Sequence, residues 1–121
     1  MTPPTESDED VYLIKEGVLL PLVLDVLERD IQVMQKVKLK MAPLYIGLLR
    51  QAQDRVTAEL TVIRKKTRRN GIKIYQVDRG PAGLDASYLC RGYHHRFTML
   101  WGRVRAEIEI RLLAYFTSAG P

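Results

Sequence analysis

The sequence predicts an α+β fold that is mostly helical: an antiparallel helix pair and a C-terminal helix, with a two-stranded ribbon inserted between the second and third helices. Three observations carry this expectation. Apolar residues recur at three- and four-residue steps in three separate stretches, the signature of half-buried helices. The short link Lys38 to Ala42 joins the first two stretches, and links of that length join antiparallel neighbours. Between the second and third stretches lies a β-branched and aromatic run backed by turn chemistry.

In chain order, residues 1–10 combine Pro3 and Pro4 with a cluster of acids and read as a flexible acidic lead-in to a single domain over 11–117. Val11 to Ile14 fits a short strand or a helical turn equally. From Pro21 to Val37, the residues Val23, Val26, Leu27, Ile31, Met34 and Val37 share one face, and Pro21 suits a first helical turn. The longest helix runs from Pro43 to a stop at Asn70 and Gly71. Tyr45, Leu48, Leu49, Ala52, Val56, Leu60 and Ile63 form its stripe, and the stop residues tolerate the left-handed backbone that ends helices.

Ile72 to Val77 reads as a strand, Arg79 to Asp85 as its loop and Ser87 to Tyr93 as the return strand. The hairpin thus spans about 72–93. Such a ribbon needs the helices behind it, because an isolated hairpin is marginal. From His95 to Phe116 the spacing is helical again, with Phe97, Leu100, Trp101, Val104, Ile108, Leu112 and Tyr115 on one face and Glu107 paired to Arg111. Met99, Ile110 and Leu113 form a second apolar patch that calls for cover by the ribbon or by another subunit. Residues 118–121 form a tail.

Charge is placed unevenly. Residues 1–30 hold eight acids against Lys15 and Arg29, whereas 31–121 hold seventeen Lys and Arg against six acids, so a net charge of +5 hides a segment of −6 and a body of +11. A basic body attracts phosphate polymers, anionic lipid headgroups or acidic proteins. Cys90 is the only cysteine, which excludes an internal disulfide and favours a reducing compartment. The N-terminus lacks the basic and then apolar pattern of a secretory signal, and no apolar run reaches the roughly 18 residues of a membrane span. The expectation is a cytoplasmic protein with no membrane span.

The candidate site is a nucleic-acid surface. Arg64, Lys65, Lys66, Arg68, Arg69 and Lys73 place six cations within ten positions, more than helix capping asks for. Arg79 and Arg91 of the ribbon and His94, His95 and Arg96 at the entry to the last helix extend the set. Cations of this kind hold phosphates, and Tyr75, Tyr88 and Tyr93 among them offer rings for stacking on bases. A solvated cationic face is the plainer reading of the same residues.

Cys90, His94 and His95 lie close in sequence, but a zinc site needs further ligands that the spacing does not supply. A Cys90 nucleophile would lack an orienting third residue and an oxyanion loop. The sequence therefore predicts no enzyme, cofactor, metal or small-molecule substrate. It predicts a small regulatory or binding protein whose basic rim takes nucleic acid or another anionic partner. The alternative is a protein-interaction module that forms a homodimer through its apolar helix faces.

Overall fold

Ser7 opens the first helix. In the structure, a computed structural model that describes residues 6–117, its hydroxyl accepts from the Asp10 amide at 3.0 Å. The Asp10 carboxylate accepts in return from the Ser7 amide at 3.0 Å. This reciprocal cap satisfies two donors at a helix end and sets the start of α1 at Asp8–Lys36. Asp8 to Asp10, expected in a flexible lead-in, form the first turn; residues 1–5 and the expected tail 118–121 lie outside the described residues.

Pro21 therefore sits inside α1 rather than at its start. An interior proline costs about 3 kcal/mol, since the carbonyl four residues back, that of Gly17, loses its donor. Burial offsets this. Leu13, Leu20, Val23 and Leu27 pack toward the second helix, Val18, Leu19 and Leu22 toward the sheet and the third helix, and Ile14 against the sheet's edge. A helix covered on several sides is apolar nearly all round. The chain is built around α1.

Helix α2, Ala42–Arg69, follows a turn over residues 37–41 and carries Pro43 in its first turn. Asn70 caps its end and Gly71 takes the left-handed backbone at φ 71°. The two helices are antiparallel: Gln53 lies within reach of Glu28, and Asn70 of Asp10. Ala52, Val56, Leu60 and Ile63 of the expected stripe are buried, but Tyr45 and Leu48 at its beginning are exposed.

Three strands follow, β1 Ile72–Arg79, β2 Gly83–Cys90 and β3 Tyr93–Leu100, in an all-antiparallel sheet of order β1-β2-β3. This overturns the two-stranded ribbon. The return strand begins earlier than Ser87, and Arg91 with Gly92, expected inside it, make the tight turn to β3 with φ of 50° and 89°. Two successive positive φ values give the hairpin turn whose twist matches the strands. Residues expected to begin the last helix are β3 instead. Phe97, Leu100, Trp101 and Val104 fit a helical step, but His95, Phe97 and Met99 also alternate inward, and pairing with β2 decides for the strand. A β-bulge at Tyr75 breaks the register of β1. At Gly83 a β-carbon would run into the Met99 carbonyl, so the β2 to β3 approach demands glycine there.

Helix α3, Trp101–Thr117, returns over α1. Trp101, expected in the core, is half-buried and donates its indole N–H to the Gly80 carbonyl at 2.8 Å. Farther along, Arg111 pairs with Glu16 of α1 and, at 2.8 Å, with Glu107, which also takes Lys15 at 2.9 Å. Arg111 and Lys15 hold the Glu107 carboxyl down at about 2. The expected pair on α3 is thus one link of a belt joining α3 to α1.

Candidate functional site

The last turns of α2 run beside strand β1, and between them a groove of about 520 Å³ opens at the surface. Ile63, Ile72 and Ile74 line it together with Gly17, where α1 passes beneath. Arg64 and Arg68, one helical turn apart, share it with Thr67, while Lys73 enters from the edge strand. No carboxylate lines it among the described residues. A β-carbon at Gly17 would stand 3.1 Å from the Ile74 side chain, so the small residue keeps the floor open.

The other expected site residues distribute in three ways. Lys65, Lys66 and Arg69 project from the remaining flanks of α2, all exposed. His94 and Arg96 lie on the open face of the sheet, where β3 is in register with Leu89 and Ser87. There the His94 ring meets the Tyr75 hydroxyl at 3.1 Å. Arg79, Arg91 and His95 are engaged by carboxylates of the same molecule, Arg79 at its exposed surface. Arg79 pairs with Asp25 at 3.0 Å beside the separate cleft between α1 and α3. Arg91 closes on Asp10 at 2.8 Å and on the Asn70 carbonyl at 3.1 Å, tying the hairpin turn to both helix ends. The guanidinium beside Asp10 lowers that carboxyl to about 2.

His95 faces inward. Its ring stacks on Tyr88 with centroids 5.3 Å apart, and its Nδ1 lies 2.7 Å from Glu6. The Tyr88 hydroxyl donates to the same carboxylate at 2.6 Å. Tyr88 is buried and unavailable for stacking on a base, whereas Tyr75 and Tyr93 remain exposed. Periodicity alone could not separate His94 from His95; in a strand, adjacent side chains take opposite faces.

The same alternation divides Cys90 from its neighbours. Its side chain is buried, and burial pushes the thiol up from its ordinary range, away from the thiolate that nucleophilic chemistry requires. Among the described residues, no group of three His, Cys, Asp or Glu is placed to hold a metal ion. No helix among them is long and apolar enough to cross a membrane.

The groove residues outside the expected set are Gly17, Ile63, Thr67, Ile72 and Ile74. The one signal for them in the sequence is Gly17 itself, a glycine among strongly apolar neighbours. That α1 would pass under the end of α2 is a tertiary fact.

Three helices around a three-stranded antiparallel sheet, with a cation-rimmed groove at one end, define a small α+β protein. The chain belongs to the YhjD family: the family model described as YhjD protein matches residues 5–120. It is similar to the uncharacterized protein YhjD of Bacillus subtilis (strain 168), at 25% identity over 112 residues and 92% of each chain. No solved structure matches it.

Proposed function

We propose that this protein is a non-enzymatic binding protein whose groove between α2 and β1 takes an anionic polymer, nucleic acid foremost. The observation that carries the reading is the joining of Arg64, Arg68 and Lys73 around a groove that no carboxylate lines. None of the three forms an ion pair among the described residues, so an incoming phosphate displaces no internal partner. Lys65, Lys66 and Arg69 widen the positive field, and His94 with Tyr75 offers an aromatic pair on the sheet face beyond Lys73. The three engaged cations, Arg79, Arg91 and His95, are outside the binding surface.

The test is fluorescence anisotropy of labelled duplex DNA, single-stranded DNA and RNA at several salt concentrations, with a polyanion competitor. Binding should weaken linearly in log affinity against log salt, and each groove cation removed should lower that slope by about 1. Arg64→Glu with Arg68→Glu should abolish most of the binding, while Arg79→Glu should leave it near wild type. No binding at low salt, or equal losses from both changes, would sink the reading.

A second reading is homodimerisation, and the outer face of α3 favours it. Ile110, Leu113 and Phe116 stand there at helical spacing, between 51% and 64% exposed. Sedimentation velocity on wild type and Leu113→Glu decides it: a dimer that the substitution dissociates supports this reading, and a monomeric wild type ends it.

A further inference from the structure

At the opposite end of α2, about 30 Å from the groove by the rise of the helix, the turn between α1 and α2 has a different surface. Val33, Val37, Leu39, Met41, Leu44, Tyr45 and Leu48 are each between 42% and 53% exposed. They extend past the buried residues of α1 and α2, which end near Ile31 and Leu49. Cations alternate with them: Lys36, Lys38 and Lys40 interleave with Val37, Leu39 and Met41, and Arg50 lies one turn into α2 from Ile46. Residues 31–53 contain no Asp or Glu. None of these four cations forms an ion pair among the described residues.

The start of α2 is unusual in the same direction. Met41 occupies the capping position, makes no side-chain hydrogen bond to the helix, and no acid stands in the first turn. The positive end of a long helix is therefore left without a side-chain acceptor, beside apolar groups and lysines.

We infer that this hairpin tip is a docking surface for an anionic lipid bilayer. Charge complementarity selects the occupant. A second copy joined tip to tip would bring Lys36, Lys38 and Lys40 against their counterparts, with no carboxylate within residues 31–53 to neutralise them. An anionic headgroup layer supplies that neutralisation, and the acyl boundary beneath it receives Leu39, Met41, Leu44 and Tyr45. Apolar groups in such settings sink about 5–10 Å into the interface while lysines remain at headgroup level. The tip engages one leaflet and spans nothing.

The test is co-sedimentation of the full chain with vesicles of phosphatidylcholine alone and of phosphatidylcholine containing phosphatidylglycerol. Wild type should bind the anionic vesicles and ignore the neutral ones. Lys36→Gln, Lys38→Gln and Lys40→Gln should weaken binding about fivefold each. Leu39→Ser with Leu44→Ser, at exposed positions, should weaken it at least about tenfold, with unchanged circular dichroism and unchanged nucleic-acid anisotropy. Failure to bind anionic vesicles at low salt would overturn the proposal. So would equal binding to neutral vesicles, or a loss from Arg64→Glu with Arg68→Glu as large as that from the three lysine changes. Sedimentation velocity showing that Leu39→Ser with Leu44→Ser dissociates a dimer that ignores vesicles would replace the bilayer with a second copy.

Discussion

Where α2 ends, the groove cations are open but Arg91 of the β2–β3 turn stands among partners: Asp10 belongs to the cap of α1, receives Arg91 and neighbours Asn70, so two helix ends and a hairpin turn close on one another. Where α1 turns into α2, the lysines have no such arrangement. They alternate with exposed apolar side chains, and the helix that begins there has no side-chain cap. Both ends are basic, yet only the first is stitched together. A run of positive charge thus has no meaning of its own; what stands between the charges decides whether it anchors the fold, rims a groove or faces an apolar surface.

The contrast can be broken by substitution, and the largest effect belongs to the belt between the two ends. Arg111→Ala would leave Glu16 and Glu107 facing each other in largely buried positions, with Lys15 and the more exposed Arg103 the cations left beside Glu107. Removing one partner of a buried pair costs about 3–5 kcal/mol, to be read from urea melts. At the stitched end, Asp10→Ala removes the carboxylate half of the reciprocal cap and the Arg91 pair together, and should cost about 2–4 kcal/mol.

Acid should act on the same links. Asp10 and Glu107 are both depressed to about 2, from 3.8 and 4.5, so they contribute stability in full above about pH 4.5. That contribution is lost as pH falls toward about 2. Melts across this range should show wild type losing stability and the combined Asp10→Asn, Glu107→Gln protein, weaker at neutral pH, losing less. The smallest effect belongs to the open tip. Leu39→Ser there should alter stability by less than about 0.5 kcal/mol, since its side chain is already exposed. A larger loss in the same melts would show that the tip packs against something.

The three helical stretches were legible because a helix writes its buried face at a fixed step, and Ala52, Val56, Leu60 and Ile63 follow it. Beginnings were harder. Ser7 and Asp10 satisfy the reciprocal cap across three residues, but the acids around them and the two prolines before them look like a solvated tail. Pro21 misled in the other direction, because its cost in a helix interior is set against burial that no local window displays. The third strand was lost to a coincidence of spacing, since Phe97, Leu100, Trp101 and Val104 satisfy the helical step as well as the strand alternation does in part.

For the candidate site, the basic run on α2 could be read directly, and its neighbour Lys73 with it. Its division into groove, flank and internal pairs could not. Arg91 seeks Asp10, eighty-one residues away in sequence, and Arg79 seeks Asp25 across fifty-four. His94 and His95 are adjacent in sequence and part to opposite faces only because they belong to a strand.

By itself the sequence determined the helical stripes, the stop at Asn70 and Gly71 and the excess of positive charge beyond residue 30, because each rests on neighbours a few residues apart. Tertiary structure alone decided that α1 is the central helix, that β2 takes a strand on each side and which cations stay open to an anion. Those outcomes depend on burial and charge pairing between segments far apart in sequence, and such contacts exist only once the chain has closed on itself.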